Sequence, residues 1–134
     1  MAATIASMGG TGPGVASARP VLALGASRTM FEHHFTVTFD SSYPTGGESI
    51  AAAVDSDSPW SVMTTVSRIV CIPTVAPGGT GGFSAGDLMI GVADITNKKL
   101  LLYLNVVAGS SYVQVTDTTN ASLITIPCIA YGYR

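Results

Sequence analysis

Between residues 30 and 40 the chain alternates: Phe31, His33, Phe35, Val37 and Phe39 interleave with Glu32, His34, Thr36, Thr38 and Asp40. Successive strand residues point to opposite faces, so this segment predicts a β-strand with one buried and one wet side. Residues 88–95 and 99–107 flank Thr96, Asn97 and Lys98 and predict a β-hairpin with a short turn. A near-continuous apolar run over 66–72, closed by Pro73, predicts a buried strand. Residues 112–116 and 123–131 predict two more strands. Pro127 marks the second of these as an edge or bulged strand, because proline has no N–H to give to a ladder. The best opening for a helix is residues 47–54, where Thr45 and Glu48 have capping-box spacing. Gly46 and Gly47 in its first turn would keep it short and weak. Six strands, at most one short helix and many turn residues predict an all-β protein, an antiparallel sandwich or barrel.

The first 20 residues break this pattern. Gly9, Gly10, Gly12, Pro13 and Gly14 interrupt them, they hold no acid, and neither a period of two nor one of 3.6 is present. They predict a flexible N-terminal arm over 1–20, with Ile5, Met8 and Val15 available to order against a partner. Residues 21–134 then form a single β domain, and the chain of 134 residues leaves no room for a second core.

Charge changes the picture most. Asp, Glu, Lys and Arg make up 10% of the chain, against about 25% in ordinary soluble domains. With a mean hydropathy of +0.44, the surface is left to Ser, Thr, Gly, Ala and apolar side chains. Such a surface suits a protein covered by neighbours, since charge is what keeps separate molecules apart in solution. A small extracellular β domain with a Thr/Ser-rich face is the other reading. The net charge of −2 and the two lysines, Lys98 and Lys99, exclude a nucleic-acid partner, whose phosphates demand clustered cations. No membrane span is expected: the longest apolar stretch, 100–107, contains Asn105 and falls far short of about 20 residues. Nothing basic precedes Arg19, so no export signal is expected, and Cys71 and Cys128 read as buried, reduced thiols. A disulfide between them is open on count alone.

Candidate chemistry is sparse. Gly82-Phe83-Ser84-Ala85-Gly86 matches G-x-S-x-G, but a nucleophile elbow needs a helix after the serine and a later histidine. No histidine follows His34. His33 and His34 are strand neighbours and point to opposite faces, so they cannot share a metal; His33 is expected inside and His34 outside. Asp55 and Asp57 have D-x-D spacing without the glycine and distal glutamate of a calcium loop. The glycines of the arm lack the lysine of a phosphate-binding loop, and the sequon Asn120-Ala121-Ser122 matters only in an exported chain. The sequence therefore predicts no enzyme, no catalytic residue, no cofactor and no metal.

The stretch Val37-Thr38-Phe39-Asp40-Ser41-Ser42-Tyr43-Pro44-Thr45-Gly46-Gly47-Glu48 resembles the V-x-F-D-x-S-Y-P-T-G-G-E motif of small structural proteins of tailed bacteriophages, cyanophages among them. Some of these resemble capsid decoration, or cement, proteins. The similar layout extends over residues 30–134, ending in Ala130-Tyr131-Gly132-Tyr133-Arg134, although only the twelve-residue motif is specific. Those relatives often carry proline after the glutamate, where this chain has Ser49. The resemblance implies a β-sandwich or jelly-roll-like protein, commonly trimeric, on the outside of an expanded capsid. It also implies the major capsid protein as partner, the virion surface as location and the host cytoplasm as place of synthesis.

The function expected is thus a viral structural one, a cement protein that bridges major capsid subunits by binding alone. The alternative is a tail or fibre head domain that recognises a host surface glycan. That reading needs exposed aromatics brought together, with Trp60 and Tyr112 as candidates.

Overall fold

The computed structural model describes residues 3–7, 18–23, 29–51, 59–78, 83–105, 111–116 and 119–133. These residues form ten strands and one helical turn: β1 (Thr4–Ser7), β2 (Ala18–Ala23), β3 (Thr29–Thr38), β4 (Glu48–Ser49), α1 (Pro59–Val62), β5 (Thr65–Cys71), β6 (Thr74–Val75), β7 (Leu88–Asp94), β8 (Lys99–Asn105), β9 (Tyr112–Gln114) and β10 (Thr125–Tyr133). They make two five-stranded sheets in which every pairing is antiparallel. The protein is an all-β antiparallel fold, as the alternation predicts.

Both sheets are built alike. In the first, β10 lies along one edge of β3 and is followed by β5, while β1 and β2 lie end to end along the other edge. In the second, β7 lies along one edge of β8 and is followed by β6, while β4 and β9 share the other edge. The inner faces meet in one core. His33, Phe35, Val37, Ile126, Cys128 and Ala130 come from the first sheet, and Met89, Leu100 and Leu102 from the second. On β3 the buried set is His33, Phe35, Val37 and, just past its end, Phe39, which matches the sequence pattern; Phe31 is half-buried.

Along β10 the inward side chains shrink from Ile126 through Cys128 and Ala130 to Gly132. The taper has a cause. At Gly132 the neighbouring strand closes in, and a Cβ would run into the Thr65 carbonyl oxygen. The register between β10 and β5 slips there by one residue, and the extra residue, Ser67, donates its hydroxyl to the Tyr131 carbonyl at 2.9 Å.

Four expectations differ. The capping-box helix does not form over the described part of its span: Glu48 pairs with Leu100 and Ser49 with Lys99 as strand β4. Residues 52–54 lie outside the described residues, and the helical turn among the described residues lies further on, at α1. A two-glycine first turn gives a helix little to start from, whereas β8 offers a ladder. The apolar run over 66–72 is an edge strand. Only Val66 in it is buried, while Val70 and Ile72 are 41% and 46% exposed. Conversely, β10, which Pro127 marked as an edge or bulged strand, is no edge: it runs between β3 and β5, and its register slip with β5 falls at Tyr131/Gly132, away from the proline. Proline is accommodated because β5 has already ended. Ile72 N–H donates to the Pro127 carbonyl at 2.8 Å, and the Ile72 carbonyl, which proline cannot serve, accepts the Thr74 hydroxyl at 3.3 Å. Finally, part of the segment read as an arm without strand character lies on the sheet: residues 4–7 pair with β3 from Thr38 to Phe35, and Ile5 is buried against the core. One apolar side chain between Thr4 and Ala6 is too short a pattern to register as a period of two.

Candidate functional site

The twelve-residue motif Val37 to Glu48 folds into the corner where β3 leaves its sheet and the chain crosses to β4. Phe39 N–H donates to the Ile124 carbonyl, Ala121 N–H to the Asp40 carbonyl and Tyr43 N–H to the Thr119 carbonyl, at 3.1, 3.0 and 3.0 Å. The Asp40 carboxylate accepts the Ser42 N–H at 2.7 Å, an Asx-turn that reverses the chain. Pro44 to Gly47 is a β-turn closed by Gly47 N–H on the Pro44 carbonyl at 3.1 Å, with Gly46 at φ +88° in the third position. A type II turn requires that positive φ, which is why glycine stands there. Gly47 (φ +92°) is needed for another reason as well: a Cβ would come within 2.7 Å of the Leu100 carbonyl oxygen.

Tyr43 is fully buried and its ring is tilted on Phe39. Its hydroxyl accepts the Leu102 N–H at 2.9 Å, with burial pushing the phenol above its ordinary pKa. Glu48, at the motif's end, is 4% exposed and faces inward with Asp40, which is 8% exposed. Burial raises the Glu48 carboxyl above its usual range and the Asp40 charge raises it further, while the Ala3 backbone N–H pulls the other way. That last contact ties the start of the chain to the motif. Phe39, Asp40, Tyr43, Gly46, Gly47 and Glu48 thus have structural duties in the turn, the corner or the interior.

Outside this corner, the described outer faces of the two sheets differ in character. On the outer face of the β7–β8 hairpin, register sets Ile90 beside Tyr103 and Val92 beside Leu101, with Leu88 next along β7. Val92 is 48% exposed and the other four are half-buried. The outer face of the first sheet carries the rungs His34–Ile129–Val70 and Glu32–Tyr131–Arg68. There Glu32 meets His34 at 3.2 Å, and the Arg68 guanidinium lies 4.8 Å above the Tyr131 ring. Between β9 and the loop before β7 lies a hollow of about 220 Å³ lined by Phe83, Leu104, Val113 and Val115. It is smaller than the roughly 300–1,000 Å³ of a small-molecule pocket.

The candidates from the sequence are scattered. Ser84 is exposed in a tight turn, where its N–H donates to the Asp87 carboxylate at 2.8 Å and its carbonyl accepts the Asp87 N–H at 3.1 Å. Strand β7, not a helix, follows, so no nucleophile elbow forms. His33 is buried and stacked on Phe35 with centroids 5.5 Å apart, and His34 is on the opposite face, half-exposed. Asp55 and Asp57 lie outside the described residues. The Asn120 side-chain oxygen accepts both the N–H and the hydroxyl of Ser122. Among the described residues no group of three or more His, Cys, Asp or Glu is placed to hold a metal. Trp60 sits by the β7–β8 turn, with Lys98 Nζ 5.7 Å from its ring, whereas Tyr112 pairs with Asn105 at the far end of β8. About 20 Å of strand separates the two positions, so these aromatics are not brought together.

The sequence reading missed the apolar outer face of the hairpin. The run Leu88-Met89-Ile90-Gly91-Val92-Ala93 is apolar throughout, so no alternation marks which side chains face out. No protein-family model, curated protein or solved structure matches this chain.

Proposed function

We propose that this chain is a capsid decoration protein of a tailed phage, a non-enzymatic cement that binds the outside of the head and bridges major capsid subunits. The observation that carries this reading is the outer face of the β7–β8 hairpin, where Leu88, Ile90, Val92, Leu101 and Tyr103 form one apolar patch on a rigid ladder. A contiguous apolar face of this kind supports a protein contact. The other sheet supports the same reading, because a bridge needs two surfaces. Its outer face offers Val70, Ile129 and Tyr131 beside the charged Glu32 and Arg68 and the half-exposed His34 on the opposite side of the sandwich. The apolar hairpin face gives up little hydration on contact, so association there releases most of what apolar burial yields. Each copy that joins two subunits then stabilises the shell by mass action and by its two-point attachment. Self-association, a trimer in the resembling family, would use part of the same surface.

The test is a double substitution on the patch, Val92→Lys with Leu101→Lys, in protein added to particles lacking their own copy. Both residues lie outside the core, so thermal unfolding stays near the wild-type curve while co-sedimentation with particles is lost. Retained co-sedimentation with an unchanged fold would overturn this use of the hairpin face.

A further inference from the structure

Cys128 of β10 and Cys71 of β5 are direct cross-strand partners, 57 positions apart in the chain, with both thiols free and their sulfurs 3.3 Å apart. The kind of rung they occupy follows from their neighbours. Ile72 N–H donates to the Pro127 carbonyl at 2.8 Å, which makes 72/127 a hydrogen-bonded rung and 71/128 the adjacent non-bonded one. In such rungs the Cα atoms stand about 4.5 Å apart and the side chains are closest, inside the span a disulfide requires. Both thiols face the inner side of the sheet, against Gly91 of β7. A Cβ on Gly91 would lie 3.0 Å from Ile126 Cγ2, 3.2 Å from Cys71 Cβ and 3.3 Å from its sulfur, so the glycine keeps space for Ile126 and Cys71 on the opposing sheet.

We infer that Cys71 and Cys128 form a redox site, closing to an intramolecular cross-strand disulfide by exchange with a low-molecular-weight disulfide such as oxidised glutathione. Closure needs the sulfurs to approach from 3.3 Å to about 2.05 Å, a movement that side-chain rotation supplies. The two thiols have different parts. Cys128 is 1% exposed and donates its S–H towards the Cys71 sulfur, whereas Cys71 is half-buried on the edge strand. That hydrogen bond lowers the Cys71 thiol, and together with burial it pushes the Cys128 thiol well up. Cys71 is therefore the attacking thiolate and Cys128 the resolving group.

In the first step the Cys71 thiolate attacks one sulfur of the oxidised glutathione and expels a glutathione thiolate. In the second, Cys128 gives its proton to a base in the medium, the expelled thiolate or water, and attacks the Cys71 sulfur. A second glutathione leaves. The protein dithiol loses two electrons and two protons overall, and one oxidised glutathione becomes two reduced ones. The bond would fasten the edge strand β5 to β10 beside Val70 and Ile72. The inference holds whether or not the capsid reading does.

The test uses the reduced full-length chain equilibrated in glutathione buffers of graded poise. Intact mass and alkylation of free thiols are read first, then thermal unfolding. The expected product is a monomer lighter by two hydrogens with no free thiol, and its unfolding midpoint lies at least about 5 °C above that of the reduced chain. Cys128→Ser would stop at a stable glutathione adduct on Cys71. Two free thiols persisting in excess oxidised glutathione would overturn the inference. So would a stable adduct on the wild-type chain, or oxidation only to covalent dimers.

Discussion

The Tyr43 hydroxyl takes the place of a strand in the ladder of β8, accepting the Leu102 N–H at 2.9 Å. The Leu102 carbonyl points the same way and accepts the Val115 N–H at 2.9 Å. Strands β4 and β9 share this edge of β8 but pair only with Lys99–Leu100 and Tyr103–Asn105, leaving a gap at Leu102. One phenol thus completes the edge of the second sheet and, through the Tyr43 N–H on Thr119, holds the corner that leads from the first.

Tyr43→Phe keeps the ring against Phe39 and removes the hydroxyl, which serves the Leu102 N–H and also meets the Gln114 side chain. A buried N–H left without a partner costs about 1–3 kcal/mol, so denaturant unfolding should show a loss of that size at unchanged slope. A loss below about 0.5 kcal/mol would mean that water serves Leu102 as well as the phenol does.

The two adjacent glycines of the motif make a paired test. Gly46 has a positive φ and open space where a Cβ would go, whereas Gly47 has a positive φ and a carbonyl oxygen in the way. Gly46→Ala should cost about 1 kcal/mol, the price of a left-handed alanine. Gly47→Ala should cost at least about 1–2 kcal/mol more, because the Leu100 backbone is held in the ladder and cannot step aside. Equal losses in urea titrations of the two variants would contradict the close approach.

Glu48 gives the stability a pH dependence of definite sign. Its carboxyl in the folded chain holds the proton to higher pH than in the unfolded chain, where the ordinary value is 4.5. Across that window the native state binds more protons, so this group's contribution is fully present below 4.5 and is lost as pH rises through the raised folded value. Glu48→Gln removes the dependence while keeping an acceptor for Ala3. The variant should therefore match the wild type in mildly acidic urea titrations and exceed it at neutral pH and above. A gap that widened towards acid pH would reverse the sign and refute the account of Glu48.

How far the sequence revealed the fold depends on where the two faces differ in polarity. From Phe31 to Thr38 every inward residue of β3 is apolar or histidine and every outward one polar, so the strand and its faces could both be read. In β7 and β5 apolar residues occupy both faces; the strands were legible, but the exposed set Val70, Ile72 and Val92 was not. Glu48 misled because S/T-x-x-E spacing is local, while the partner that decides its state, Leu100, lies far along the chain. The dithiol was equally out of reach. Whether 71/128 is a close rung depends on a register fixed by Ile72 and Pro127, which no spacing between two cysteines encodes. The motif could be quoted from the sequence, but the reason for its second glycine is a carbonyl on another strand.

The decoration reading is tested most directly by counting copies in purified virions, using quantitative mass spectrometry against the major capsid protein. A cement that occupies repeated lattice sites must be present within a few-fold of that protein, and this is the predicted ratio. A handful of copies per particle would contradict it and place the chain on a tail or fibre, and absence from the virion would remove it from the particle altogether.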